Sequence, residues 1–401
     1  MKNNVPPDNE KKINIAFAFM GGETWTFGNV YLNDLINTLK KYGSPRYNYF
    51  VLIPRSINVK SLTTFPEINY INFDDYKIET TADPLTYGLT ALKSLIFKKI
   101  RFNNLLKKHN IDIFFGPLIN YRLSDVKTLS WLPDFQHIHL PGMFSPDECK
   151  NLDRLHKNVA KYSSRVIVLS ESAKKDFEHF VPDYTYKVRI YSPICYLEPS
   201  MYEIPLKDVL LRYDLPEKFI FLPNQFWKHK NHIVVFKAIK NLKERGIKIF
   251  LLCAGNATDY RNPAYFSILN RKISECKIRD QIIYIGLIPR EDVLLLMRQS
   301  ICLINPSLFE GFGFSVDEAR SIGKKVILSD IPPHREQNPP KAVYFSPDDF
   351  KGLADIIEKI WTETPPGPDL ELEENARHDY PARIQKNVLT FMDIVEETMC
   401  D

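Results

Sequence analysis

Ile301-Cys302-Leu303-Ile304-Asn305-Pro306-Ser307-Leu308-Phe309-Glu310-Gly311-Phe312-Gly313-Phe314-Ser315-Val316-Asp317-Glu318-Ala319-Arg320-Ser321-Ile322-Gly323 decides the reading of this chain. It opens on a short apolar run, Ile301 to Ile304, of the kind that forms a buried strand. Asn305-Pro306-Ser307 breaks the run into a loop. A helical pattern starts near Phe314, with Val316, Ala319 and Ile322 spaced to face a sheet. Gly311, Phe312 and Gly313 lie between. Glycines there let backbone approach a ligand, and the N–H groups up to Phe314 and Ser315 then form a helix N-terminus that favours an anion. A phosphate suits such a place. Glu310 and Glu318 bracket it. A carboxylate beside a phosphate is repelled by it unless it has another task, and accepting hydrogen bonds from sugar hydroxyls is such a task. Glu318 suits the ribose diol of a nucleotide, and Glu310 the hydroxyls of a second sugar.

Working outward, the chain of 401 residues is long enough for two domains of ordinary size. Apolar residues make up 44% and charged residues 25%, the balance of a globular protein. The net charge of +4 is spread in mixed sign, without the basic stripe that nucleic acid requires. Six cysteines occur and none form a Cys-x-x-Cys pair, which points to reduced thiols and a cytoplasmic protein. No apolar run approaches the ~18 residues of a membrane-spanning helix.

Strand and helix patterns alternate through both halves, the signature of parallel sheets covered by helices. In the first half strands are expected at 13–19, 49–53, 68–73, 111–115, 126–132 and 165–169. Helices are expected at 30–42 and 85–109. After a proline-rich linker at 191–215 come strands at 219–222, 248–254 and 281–285 and helices at 232–245, 268–276 and 291–299. Later helices are expected at 347–361 and 382–399. The helix at 85–109 is basic on much of its surface, which fits a solvated face or a contact with anionic lipid.

Three further stretches carry chemistry. Gly21-Gly22 follows the first strand and opens the first helix, at the crevice where doubly wound sheets bind ligands. In 131–142, Asp134, His137 and His139 crowd a loop after a strand. A metal site from these three is disfavoured, because alternate residues of an extended segment point to opposite sides. Lys228, His229, Lys230 and His232 crowd the loop before a helix. Such a cluster repels itself unless an anion neutralises it, and a diphosphate would also be stabilised there as a leaving group.

The stretch 301–323 resembles the Glu-x7-Glu motif of retaining GT-B glycosyltransferases of family four, the glycosyl transferases group 1. The likeness continues through Lys324-Lys-Val-Ile-Leu-Ser-Asp-Ile-Pro-Pro-His-Arg-Glu336. It implies an α/β fold of two Rossmann-like doubly wound domains with a cleft between them. These would span 1–200, on the acceptor side, and 201–380, binding the nucleotide-sugar, with the helix at 381–401 packing back on the first. It implies transfer of a hexose-type sugar from a nucleotide diphosphate sugar to a glycan, lipid-linked or small-molecule acceptor, with no cofactor. No Asp-x-Asp occurs, so a metal-bridged diphosphate is not expected. On this reading Gly22, Gln225, Lys228, Lys230, Leu287, Gly311, Phe312, Gly313, Phe314, Ser315 and Glu318 bind the donor. Lys230 matches the family's lysine, while Gln225 stands where an arginine is usual and Lys228 is placed to supply the second charge. Glu310 orients the sugar. The family's His-Asp pair reads Pro133-Asp134 here, which leaves the catalytic role divided between Asp134 and His137. The rival readings are a catalytically silent sugar-nucleotide-binding protein and a GT-B epimerase or phosphorylase.

Overall fold

The computed structural model describes residues 12–19, 27–54, 68–73, 89–259 and 261–400, the side chains of Phe27, Asn29 and residues 89–98 excepted. The Gly21-Gly22 loop therefore lies outside the described residues. The polypeptide groups into two compact units, residues 1–137, 145–193 and 384–401 in the first, and 138–144 and 194–383 in the second.

In the first unit the order is β1 (Ile13–Ala18), α1 (Phe27–Tyr42), β2 (Tyr47–Pro54), β3 (Asn69–Phe73), α2 (Leu89–Lys108), β4 (Ile113–Pro117) and β5 (Lys127–Trp131). Then come α3 (Gln136–His139), α4 (Pro146–Tyr162), β6 (Arg165–Val168), α5 (Glu171–Phe180) and β7 (Val188–Ile190). Among the described residues the strands form one sheet of order β3-β2-β1-β4-β5-β6-β7. Each pairing is parallel, as where Ile15 of β1 sits between Tyr49 and Ile113. Parallel strands need a covering layer on both faces, which is why their sequences read as near-continuous apolar runs. Helix α4 starts on a complete capping box: Glu148 N donates to Ser145 Oγ, and Ser145 N donates to Glu148 Oε2.

The second unit runs α6 (Leu206–Arg212), β8 (Ile220–Leu222), α7 (His232–Glu244), β9 (Leu251–Cys253), α8 (Tyr265–Glu275), β10 (Ile282–Tyr284), α9 (Arg290–Gln299) and β11 (Cys302–Asn305). It continues α10 (Phe314–Ile322), β12 (Val326–Ser329), α11 (Pro332–Gln337), β13 (Val343–Phe345), α12 (Phe350–Glu363) and α13 (Leu370–Cys400). Its sheet order is β10-β9-β8-β11-β12-β13 among the described residues, again parallel throughout. One core layer joins α7 and α12 to the sheet through Val235, Ile239, Leu242 and Ile357. The other joins α6, α9 and α10 through Val209, Leu295, Val316, Ala319 and Ile322. Both sheets thus have the doubly wound order in which the strand direction of growth reverses beside the first strand.

Three expectations need correction. The linker at 191–215 is not featureless: Met201 and Val209 are buried in the second unit's core, and 206–212 is helical. The last helix begins at Leu370 rather than near 382, with Pro381 inside it. Pro381 reads as a start signal because proline suits a first turn, yet here it sits in the interior, where it removes one hydrogen bond. The segment holding His137 and His139 is a helical turn, not an extended strand.

The end of α13 belongs to the first unit. Phe391 is fully buried, with its ring 6.1 Å from Phe17 and 5.2 Å from Tyr191. Tyr191 donates to Asn387 Oδ1 at 2.6 Å, and Asn387 Nδ2 donates to Ser192 O at 2.6 Å.

Candidate functional site

The site is built at the C-terminal ends of β8 and β11, adjacent strands at the centre of the second sheet. Strand β11 ends on Asn305, a fully buried side chain with two functional ends. Its Oδ1 accepts from Asn224 Nδ2 at 3.1 Å, beyond β8. Its Nδ2 lies 3.2 Å from Ser315 Oγ, in the first turn of α10, and 3.4 Å from Glu310 Oε1. Asn305 therefore ties both strand ends to the helix start and to the carboxylate. Ser307 Oγ lies 2.6 Å from Glu310 Oε1 and 2.7 Å from Asn305 Oδ1, and its single proton serves one of them at a time.

The lysine loop is fastened to the same corner. Asn231 adopts a left-handed conformation, φ 53°, just after Lys230. Its Nδ2 donates to Pro306 O and Pro347 O, while Leu308 N donates to His229 O at 2.8 Å. These ties set Lys230 Nζ 2.6 Å from Glu310 Oε1, with side-chain exposures of only 15% and 10%. Lys230 uses one of three N–H groups on this contact. Burial alone would raise the Glu310 carboxyl, but Lys230, through its charge and its hydrogen bond, outweighs it and holds it down at about 2. The carboxylate is thus charged and largely dry. Burial pushes His229 well below its usual value, with Lys230 acting in the same direction.

The helix start follows from Gly313, whose φ of 89° few side chains tolerate. Gln337 Nε2 donates to Phe312 O at 2.6 Å and Gly313 O at 2.9 Å, fixing the turn from behind. The first turn of a helix has N–H groups without a carbonyl of its own helix, aligned with the positive end of the dipole. At the other end Gly323, φ 70°, leaves no room for a side chain: a Cβ there would lie 2.3 Å from Leu372 O. Glu318, one turn into α10, sits 3.4 Å from Arg290 Nη2. Burial raises its carboxyl, opposed by Arg290 and helped by Asp317.

The structure gathers Lys230, Glu310, Gly311, Phe312, Gly313, Phe314 and Ser315 in this corner. Gln225 is committed elsewhere, its Oε1 accepting from Asn256 N at 2.8 Å. Lys228 is exposed, on the single turn that ends in Lys230. Leu287 is 54% exposed in the turn after β10. In the first unit, Asp134 Oδ1 accepts from Gln136 N at 2.8 Å. His137 is buried, with Nε2 3.1 Å from Asp153 Oδ1 and its ring 4.9 Å from that of His156. His137 and His139 stand two apart on a turn of helix, and no group of three or more candidate metal ligands occurs among the described residues. Sequence reasoning missed Asn224, Asn305, Ser307, His334 and Gln337. The polar break Asn305-Pro-Ser307 directly before Glu310 was the available signal.

Residues 210–379 match the family described as Glycosyl transferases group 1. The O-antigen chain mannosyltransferase RfbU of Salmonella typhimurium is 28% identical over 144 residues, 36% of this chain. The chain thus spans about two fifths, 38%, of that curated relative's length. Among solved structures, a glycosyltransferase from Rickettsia africae aligns with TM-score 0.67 at 18% identity, covering 97% of this chain and 99% of the other. Anabaena HepE in complex with UDP and glucose aligns with TM-score 0.67 at 17% identity, covering 97% and 100%. Sucrose-phosphate synthase from Thermosynechococcus elongatus gives 0.68 at 17% identity, covering 97% and 100%. Likeness at such identities speaks for the fold. The chain has the α/β GT-B fold of two Rossmann-like domains, and its residues 210–379 match glycosyl transferases group 1.

Proposed function

We propose that the protein is a retaining, metal-independent glycosyltransferase that moves a hexose-type sugar from a nucleotide diphosphate sugar to an acceptor hydroxyl. The observation that carries this is the Lys230–Glu310 pair, 2.6 Å apart beside the N-terminus of α10. A cation and a helix start suit a diphosphate, and a dry, charged carboxylate suits sugar hydroxyls. The relatives support the reading by their names: one is a mannosyltransferase of O-antigen chains, another was solved with UDP and glucose. Polysaccharide or glycoconjugate biosynthesis follows as the setting, with a glycan, lipid-linked or small-molecule acceptor.

In the proposed reaction the donor diphosphate lies on the N–H groups from Gly313 to Ser315. Lys230, with Lys228, neutralises it as the bond from the anomeric carbon to the phosphate oxygen breaks. The acceptor oxygen bonds to that carbon from the same face, and its proton passes to an oxygen of the departing diphosphate. The products are a glycoside and a nucleoside diphosphate. Glu310 holds the sugar hydroxyls, Glu318 the ribose, and the turn at Leu287 the base. Of the two first-unit candidates, Asp134 is the more accessible, since His137 is buried against Asp153. The absence of Asp-x-Asp motivates the metal-independent assignment. None of the six cysteines forms a disulfide, which suits a cytoplasmic setting. No helix among the described residues is long and apolar enough to cross a membrane. Peripheral contact through 85–109 remains part of the proposal, with Lys99 and Arg101 exposed, and flotation with anionic vesicles tests it.

The deciding experiment is a thermal-shift panel of UDP, GDP, ADP, CDP and TDP. One of them at 100 times its Kd should stabilise the protein by ~2.7 kcal/mol. A flat response to all five refutes the donor site.

A further inference from the structure

Behind the turn at Gly313 stands a histidine that the donor reading leaves without a task. His334, on α11, is 0% exposed. Its Nδ1 lies 2.9 Å from Ser329 O and 3.2 Å from Ser329 Oγ, and that hydroxyl donates to Ser307 O. A carbonyl only accepts, so Nδ1 carries the proton. Nε2 is left as a bare acceptor, buried and without a hydrogen-bond partner among the described residues. That edge of the ring faces Gly313: a Cβ built there would lie 3.4 Å from both Nε2 and Cδ2. A buried polar atom with no partner is unfavourable, and such sites call for an explanation.

The surrounding charges supply one. Two ionised groups act on the ring: Glu310, which favours its protonation, and Lys230, which opposes it. They are paired with each other. Burial is then the dominant influence and keeps the ring neutral. Of the charged neighbours in sequence, Arg335 makes two bonds to Asp330 at 2.6 and 2.7 Å, and Glu336 is exposed. From β13, Tyr344 offers only its hydroxyl, 3.3 Å from His334 O. A diphosphate arriving at the first turn of α10 would add at least two negative charges on the far side of Gly313. That tips the local balance and draws a proton onto Nε2.

We propose that His334 is a positioning residue for the donor diphosphate, taking up a proton at Nε2 when the anion binds and so placing a positive charge behind Gly313. The inference rests on the donor reading and deepens it. It makes diphosphate affinity fall as pH rises above neutrality, by up to tenfold per pH unit.

Calorimetric titration with UDP and with GDP, in PIPES and in imidazole buffer at pH 7.5, counts the protons exchanged. The nucleotide's own terminal phosphate contributes to that count, so the readout is the difference between the wild type and His334→Asn, which keeps a donor for Ser329. The wild type should take up more protons than the variant, and the variant's Kd should be weaker and flatter with pH. Equal counts with intact binding overturn the role of His334 and leave the donor site standing. Binding of none of the five nucleoside diphosphates removes the donor site and this inference with it. If the variant does not fold, ¹⁵N NMR of the wild-type histidines decides: Nε2 of His334 must move from an unprotonated to a protonated shift on nucleotide addition, and no movement refutes the assignment.

Discussion

The loop after β5 in the first unit and the loop after β11 in the second are alike in sequence. Each leaves the end of a buried parallel strand, and each mixes aromatic residues with titratable ones. In the first, His137 turns inward among Phe135, His156 and Phe180, and Nε2 is taken by Asp153. His156 beside it is held neutral by burial, its pKa down at about 3. In the second, Lys230, Ser307 and Asn305 all converge on a single carboxylate oxygen of Glu310. Burial is similar in both places. What differs is charge: His156 gives up its proton to fit the interior, whereas Glu310 beside an ammonium keeps its charge there. Only the second outcome leaves an ionised group ready for a ligand.

Acid should separate the two units most. Burial lowers the pKa of His229, His232 and His334 in the second unit, and of His156 in the first. The unfolded chain binds these protons near pH 6.5 and the folded chain does not, so stability is lost as pH falls below that value. Between pH 7 and 5.5 the second unit should lose up to about 4 kcal/mol and the first about 1 kcal/mol. Denaturant titrations read by hydrogen exchange will show it, and equal acid sensitivity of the two units would break the contrast.

Glu310→Gln removes the charge and keeps the shape. Transfer should fall on the order of 10²–10³-fold while the nucleoside diphosphate still raises the melting temperature. Activity unchanged in this variant would reduce the second loop to the status of the first. Lys230→Ala leaves the Glu310 carboxylate dry and unmatched, and should lower stability by about 3 kcal/mol. Adding Glu310→Ala should restore part of that loss, and purely additive losses would show that the pair is not coupled. Asp153→Asn tests the first loop. It weakens the His137 contact and should cost about 1 kcal/mol, with nucleotide binding unaltered. A variant that binds nucleotide more weakly would give the His137 loop a part in the donor site.

The strand–turn–helix at 301–323 was legible because each level agreed: an apolar run, a Pro break, glycines at the turn and helical spacing after it. Gly313 and Gly323 both fall where the backbone is left-handed. Asn305 was not legible as a hub, since a polar residue ending an apolar run reads as the start of a loop. In the run 324–336 the carboxylate Glu336 is exposed, while His334 two residues earlier is the buried side chain facing Gly313. Sequence pattern marks where polar residues occur, but which of them turns inward depends on packing. Strand β7 has three residues, too few for a period to show. Helix α4 is a different case: no helix was expected there, although Ser145-Pro-Asp-Glu148 spells its capping box in the sequence.

The course of α13 bears on how the molecule is assembled. The second unit is nearly one continuous run, whereas the first lacks part of its interior until residues 384–401 have been made. Phe391, lodged against Phe17, is synthesised only after the whole of the second unit. The half that leaves the ribosome first must therefore wait until residues 384–401 have emerged, so its closing contact is long-range in sequence, while the intervening half can fold ahead of it.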